Sequence, residues 1–405
     1  MKISLPQNVA AVIARLEERG FEAYAVGGCV RDSLLGREIH DWDVASSATA
    51  AQLRECFSGE KLIPTGEKHG TMTLLSEGMP IEITTFRVDG SYSDGRHPDS
   101  VSFARSIDDD LARRDFTVNA MAFASRTGLI DLFGGRADAE SGVIRCVGEP
   151  ERRFEEDSLR ILRALRFYSR LTTRDGRRFT IEPETLCAMV RCAPGTARVS
   201  AERINAELCG ILLSARAYET LCLMNECGIW RYVCGVGRDI LPPEGLDGVP
   251  RDIAARMASL LGGFGRAEAE RIVSALRFKK GDISRVSALT DSFAADISDE
   301  YALLKLMSRI GEGEVGVLID TRRALGDAAA DGARGRLDEL AAAGRCYELS
   351  RLAVNGGDIA ALGYRGREIG DVLRRLLDAV MRGVPNERER LLAMAQNSGD
   401  ARDKM

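Results

Sequence analysis

The stretch DWDVAS, residues 41–46, sets two aspartates one residue apart at the edge of an apolar run. Successive side chains of a strand point to opposite faces, so Asp41 and Asp43 would stand side by side while Trp42 turns the other way. Two carboxylates that close repel unless a cation joins them, and Mg²⁺ commonly uses one or two carboxylates together with substrate phosphates. Upstream, in GGCVRDSLLGREIHDWDVAS (27–46), Gly27 and Gly28 permit positive φ and close backbone approach. That suits a tight turn whose amides face phosphate, with Arg31 at the start of a helix. A phosphate cradle then lies just before a metal pair.

A chain of 405 residues exceeds one ordinary core and implies two to four domains. With 45% hydrophobic and 29% charged residues, and no long polar tract, nearly all of it is expected to pack. The N-terminal segment lacks a signal-peptide pattern, and no window of about 18 uncharged apolar residues follows. A cytoplasmic protein without a membrane segment is the expectation. The ten cysteines occur without a CxxC pair, so buried free thiols are expected rather than zinc or disulfides. The net charge of −5 argues against indiscriminate polyanion binding. Residues 151–180 nevertheless hold nine Arg against five acids, a locally basic segment.

Apolar spacing at Val9, Val12, Ile13 and Leu16 predicts a helix, and FEAYAVGG, TMTLLS (71–76), PIEITTFR (80–87), VSFA (101–104), NAMAFA and GLIDLF read as strands. About the first 140 residues thus predict a mixed sheet with flanking helices. From residue 150 onward helical periodicity dominates, with Gly-containing breaks. The Gly/Pro-rich stretch 234–250 is the expected loop between helical modules.

Two later motifs bear on the site. RRDFTVNAMA (113–122) carries Arg114, Asp115 and Asn119, and reads locally as the start of a helix. In EEDSLRILRALRF (155–167), a helix would put Asp157, Arg160 and Arg163 about one turn apart on one side, beside an apolar stripe.

Together these motifs resemble those of the nucleotidyltransferase superfamily, in its class II branch of tRNA nucleotidyltransferases (CCA-adding enzymes) and bacterial poly(A) polymerases. The resemblance is strongest over residues 24–167 and extends to the C-terminal NGGDIAALGYRGREIGDVLRRLLDAVMRGVPNERERLL. It implies an α/β head (1–145) followed by an all-α neck (146–210), body (211–285) and tail (286–405). It also implies template-independent addition of C, C and A to a tRNA 3′ end from CTP and ATP. Asp41 and Asp43 would be catalytic and hold Mg²⁺. Gly27, Gly28, Arg31, Arg114, Asp115, Asn119, Asp157, Arg160, Arg163 and Arg166 would bind the nucleotide. Asp157 and Arg160 would match the Watson–Crick edge of cytosine or adenine. TTFRVDGSYSDGRHPDSVSFA (84–104) resembles the loop such enzymes use when switching to ATP, and PTGEKHGTMT (64–73) is closer to CCA-adding enzymes than to poly(A) polymerases.

A-only addition, poly(A) synthesis and a catalytically silent RNA-binding protein stand as alternatives. Glu82 joins the acidic site only if its strand lies beside Asp41 and Asp43. His69 reads as a loop residue rather than a metal ligand. The acceptor end of tRNA is the expected partner, and a homodimer is compatible with the sequence. No histidine-rich hydrolase segment is visible.

Overall fold

The computed structural model describes residues 3–66, 70–89, 101–103, 106–233 and 238–400. The chain packs as two compact units, Met1–Asp239 and Ile240–Met405. The boundary lies within the Gly/Pro-rich stretch 234–250.

The first unit is built from α1 (Gln7–Glu18), β1 (Ala23–Val26), α2 (Gly28–Leu35), β2 (Trp42–Ser46), α3 (Ala50–Cys56), β3 (Leu62–Gly66), β4 (Thr71–Ser76) and β5 (Met79–Thr85). It continues with β6 (Arg87–Asp89), β7 (Val101–Phe103), α4 (Ile107–Ala112), β8 (Ala122–Ala124), β9 (Gly128–Ile130), α5 (Gly135–Ser141) and β10 (Val143–Ile144). Then come α6 (Pro150–Glu156), α7 (Leu159–Arg170), β11 (Thr180–Ile181), α8 (Pro183–Cys192), α9 (Ala201–Leu212) and α10 (Ala217–Glu226).

Seven strands form one sheet in the order β3-β4-β5-β2-β1-β8-β9. Only β2 and β5 run parallel within it; the other pairs are antiparallel. The stripe Val9, Val12, Ile13 and Leu16 of α1 is buried in the core beneath the sheet's central strands. Along β5, Ile81, Ile83 and Thr85 point inward and Glu82 outward, which leaves one face of the sheet open for polar side chains.

Each strand read from the sequence is present. The sequence pattern did not announce β3, because LIPTG holds a proline and little apolar periodicity. It lies at the sheet edge, where a missing N–H is tolerated, and its register shifts between Ile63 and Gly66. Among the described residues the region after residue 150 is helical apart from β11, which pairs in parallel with β10, and an isolated bridge between Thr172 and Arg178. RRDF does not start a helix: Arg113 terminates α4, and a short 3-10 turn covers Thr117–Asn119.

The second unit comprises α11 (Ile253–Leu261), α12 (Arg266–Ala275), α13 (Lys280–Ser292), α14 (Glu300–Ile310) and α15 (Glu312–Ala324). It ends with α16 (Ala330–Ala342), α17 (Gly356–Ala361), α18 (Arg367–Met381) and α19 (Arg388–Asp400). Gly311, at φ +84°, breaks the long periodic stretch after Tyr301 into α14 and α15. The expectation of buried thiols holds only in part. The described cysteines are free, but Cys187 is exposed and Cys192, Cys209, Cys222 and Cys346 are half-buried. Among the described residues no helix is long and apolar enough to cross a membrane.

Candidate active site

The strand begins at Trp42, so Asp41 is not on it as the spacing suggested; it lies exposed immediately ahead of β2. Trp42 is buried and Asp43 is half-buried on the opposite face. The parallel pairing of β2 with β5 sets Glu82 directly beside Asp43, which answers the question the sequence left open. Residues in register on neighbouring strands share a face, so the two carboxylates are adjacent. Burial, then the charge of Glu82, raises the Asp43 carboxyl to about 6, with Arg114 opposing and Asp41 adding to the rise. Among the described residues no three His, Cys, Asp or Glu side chains are gathered into a metal cluster. The unbalanced negative charge at Asp43 nonetheless suits a hard divalent cation, whose binding would offset the repulsion.

Beside this edge is a cleft of about 490 Å³ lined by Gly27, Gly28, Arg31, Asp43, Arg113, Arg114, Asp115 and Asn119 from the head, and by Asp157, Arg160, Arg163, Arg166, Phe167 and Arg203 beyond it. Every nucleotide-binding residue read from the sequence therefore borders one cavity. Asp41 is not among its lining. Gly27 is required by its backbone, at φ +76°; a Cβ there would also lie 2.8 Å from Arg114 Nη1, at the tip of a side chain that can move aside. Gly28 is different from the expectation, because it is the first residue of α2 and only Gly27 of the pair has positive φ.

The polar side chains form a chain of contacts. Arg31 Nη1 donates to Asn119 Oδ1 at 2.6 Å, and Asn119 Nδ2 donates to Asp115 Oδ1 at 3.2 Å. Arg163 donates to Asp115 Oδ2 through Nε at 2.8 Å and Nη2 at 2.7 Å. Burial alone would raise the Asp115 carboxyl, but Arg163, with Arg160 and Asn119, holds it at about 2. Arg166 pairs with Glu207 of α9, and its guanidinium lies 4.7 Å from the Phe167 ring centroid.

Asp157 departs from the sequence reading. It is not on a helix shared with Arg160 and Arg163, since α6 stops at Glu156 and Asp157 takes φ −149°, ψ 99°. Its Oδ1 instead accepts the Leu159 N–H at 3.1 Å at the start of α7. An aspartate whose side chain bonds the backbone N–H two residues on competes successfully with helix continuation, which is why one periodic stretch yields two helices. Arg160 Nη1 is tied to Glu156 Oε2 at 2.8 Å and to the Arg153 carbonyl at 2.9 Å.

Several residues escaped the sequence reading. Asp110, 1% exposed, accepts from Arg113 at 2.6 Å and Arg114 at 2.9 Å, aiming both at the cleft. Burial would raise its carboxyl, yet the two arginines hold it below the ordinary range. Its spacing three and four residues before them in DDDLARR was the available signal. Arg203 and Glu207, on α9, had no comparable local signal. His69 and most of the loop 84–104 lie outside the described residues.

A sheet that presents an acidic edge to an arginine-lined cleft is the arrangement of a nucleotidyltransferase head. Residues 23–145 match the family described as Poly A polymerase head domain, and residues 178–234 match the Probable RNA and SrmB- binding site of polymerase A. A CCA-adding enzyme of Levilactobacillus brevis is 36% identical over 394 residues, covering 94% of this chain and 95% of its own. One from Geobacillus stearothermophilus is 34% identical, with 98% of each chain covered. A CCA-adding enzyme of Leuconostoc mesenteroides is 44% identical over 239 residues, 58% of each chain. The crystal structure of the Bacillus stearothermophilus CCA-adding enzyme in complex with CTP superposes with a TM-score of 0.84 at 32% identity over 98% of both chains. The chain belongs to the CCA-adding enzyme family.

Proposed function

We infer that this chain adds C, C and A to the 3′ end of tRNA, using CTP and ATP and releasing pyrophosphate. The observation that carries the reading is the single cleft in which the Asp43 edge, the arginines and Asp157 with Arg160 meet. Family membership over nearly the full length supports it.

Asp41 and Asp43 would hold Mg²⁺, with Glu82 beside them. When bound, the ion would supply charge neutralisation at the reacting phosphate and activation of the primer 3′-hydroxyl. The remaining work falls to the chain itself. Arg31, Arg114, Arg163 and Arg166 offer donors that would neutralise the triphosphate, and Gly27 and Gly28, at the start of α2, line the same space. Asp115 and Asn119, held by Arg163 and Arg31, would hydrogen-bond the ribose hydroxyls. Asp157 accepts from the exocyclic amine that cytosine and adenine share, and Arg160 donates to the ring edge once it exchanges a partner.

Residues 146–210 would act as the base-selecting neck, and the body (211–285) and tail (286–405) would grip the RNA through phosphates and shape in the cytoplasm. Homodimerisation is a separate proposal, tested by sedimentation at enzyme concentrations used for assay.

The test is Mg²⁺-dependent extension of a tRNA transcript ending at the discriminator base, with CTP and ATP supplied separately and together. Two additions with CTP and a stop at three with both nucleotides are expected. Extension only of substrates already ending in CC would mean A-only addition, and a long adenosine ladder would mean poly(A) synthesis.

A further inference from the structure

We propose that Arg203, on α9, is a positioning residue for base selection: from the wall of the cleft it pins the Asp157 carboxylate in the orientation that accepts an exocyclic amine. The inference rests on the reading of Asp157 as a base-selecting residue.

Asp157 sits in a non-helical turn, where a short side chain is free to rotate unless something holds it. One oxygen is engaged by the Leu159 N–H at 3.1 Å. The other accepts from Arg203 Nη2 at 2.6 Å, a contact between residues 46 positions apart. The cation nearer in sequence does not do this, because the Arg160 guanidinium is committed to Glu156 and to the carbonyls of Arg153 and Arg113. Meanwhile Arg203 Nη1 is buried without a hydrogen-bond partner among the described residues.

The turn is fixed from another direction as well. A Cβ on Gly195 would lie 2.3 Å from Ser158 Oγ, so the residue after Asp157 packs against bare backbone. Glu207, one helical turn beyond Arg203, holds Arg166 and faces Arg163 at 3.8 Å. One face of α9 thus sets both Asp157 and the arginines of α7.

Selectivity follows from geometry. Cytosine and adenine present an amine where uracil and guanine present a carbonyl, while uracil and guanine carry a ring N–H one position away. A pinned carboxylate meets a carbonyl oxygen in the wrong base, acceptor against acceptor. A carboxylate free to shift reaches the ring N–H and tolerates that base.

The experiment measures kcat/KM for CTP and UTP on tRNA lacking CCA, and for ATP and GTP on tRNA ending in CC. It compares Arg203→Ala, Arg203→Lys, Asp157→Ala and the Arg203→Ala/Asp157→Ala pair in the full chain. In Arg203→Ala the CTP:UTP and ATP:GTP ratios are expected to fall by about tenfold or more, the scale of one lost recognition contact. Arg203→Lys restores part of the ratio, and the double variant behaves like Asp157→Ala. Equal loss for right and wrong nucleotides in Arg203→Ala, with the Asp157→Ala ratio reduced, overturns the positioning role. If Arg203→Ala does not fold, Arg203→Met, which keeps the packing stem and removes the cation, is measured in its place, and an unchanged ratio in it overturns the positioning role. An Asp157→Ala enzyme with undiminished selectivity instead overturns the reading of Asp157 itself, and the inference with it.

Discussion

Single carboxylates in this molecule are tuned in opposite directions. Asp43 is raised to about 6 by burial and by Glu82, so in the metal-free protein its ionisation works against folding above that pH. Asp43→Asn is therefore expected to stabilise the metal-free enzyme by roughly 1–2 kcal/mol at pH 8, after allowance for partial exposure. Thermal unfolding with chelator should register this gain, while nucleotide incorporation is abolished and tRNA affinity is nearly unchanged. A destabilised Asp43→Asn would remove the argument for electrostatic strain. Asp115, held at about 2, carries the other sign: it stabilises the fold above its unfolded pKa near 3.8 and loses that contribution as pH falls toward 2. Asp115→Asn should cost about 2 kcal/mol at pH 7. Most of the gap should close between about pH 4 and 2, as followed by denaturant titration of both proteins.

At the scale of elements, two glycines of identical chemistry are expected to respond oppositely. A Cβ at Gly135, the start of α5, would lie 2.1 Å from the Thr117 carbonyl oxygen, in the turn that carries Asn119. Backbone cannot yield there as a side chain can, so Gly135→Ala should destabilise by roughly 2 kcal/mol or more and raise the KM for nucleotides. Gly313 lies within α15 with nothing within 4 Å of its would-be Cβ, and Gly313→Ala should stabilise by up to about 1 kcal/mol through helix propensity. Unfolding midpoints of the two variants decide the matter. If both lower the midpoint, the contact argument fails. The break between α6 and α7 belongs to this scale too, because it turns a single amphipathic pattern into two helices and moves Asp157 off the face that periodicity assigned to it.

For the whole molecule, a net charge of −5 coexists with an arginine-lined cleft. Binding to tRNA through local basic surfaces should make log Kd rise linearly with log salt concentration. For about five phosphate contacts, affinity should drop roughly several hundredfold between about 50 and 200 mM salt. A flat response would argue that shape alone carries recognition. The same measurement with Arg166→Ala should give a shallower slope by about one if that arginine meets phosphate.

The sequence by itself determined the strands around the DWD stretch, the helical character beyond residue 150, and most of the residues that border the cleft. Those features depend on side-chain parity and on motifs of short span, which adjacent residues enforce. Only the tertiary structure decided that Glu82 stands beside Asp43, that Arg203 reaches Asp157, and that Glu207 holds Arg166. These pairings join residues far apart in the chain. Strand register and the facing of one helix against another are set by burial of the shared core, and no local propensity encodes them.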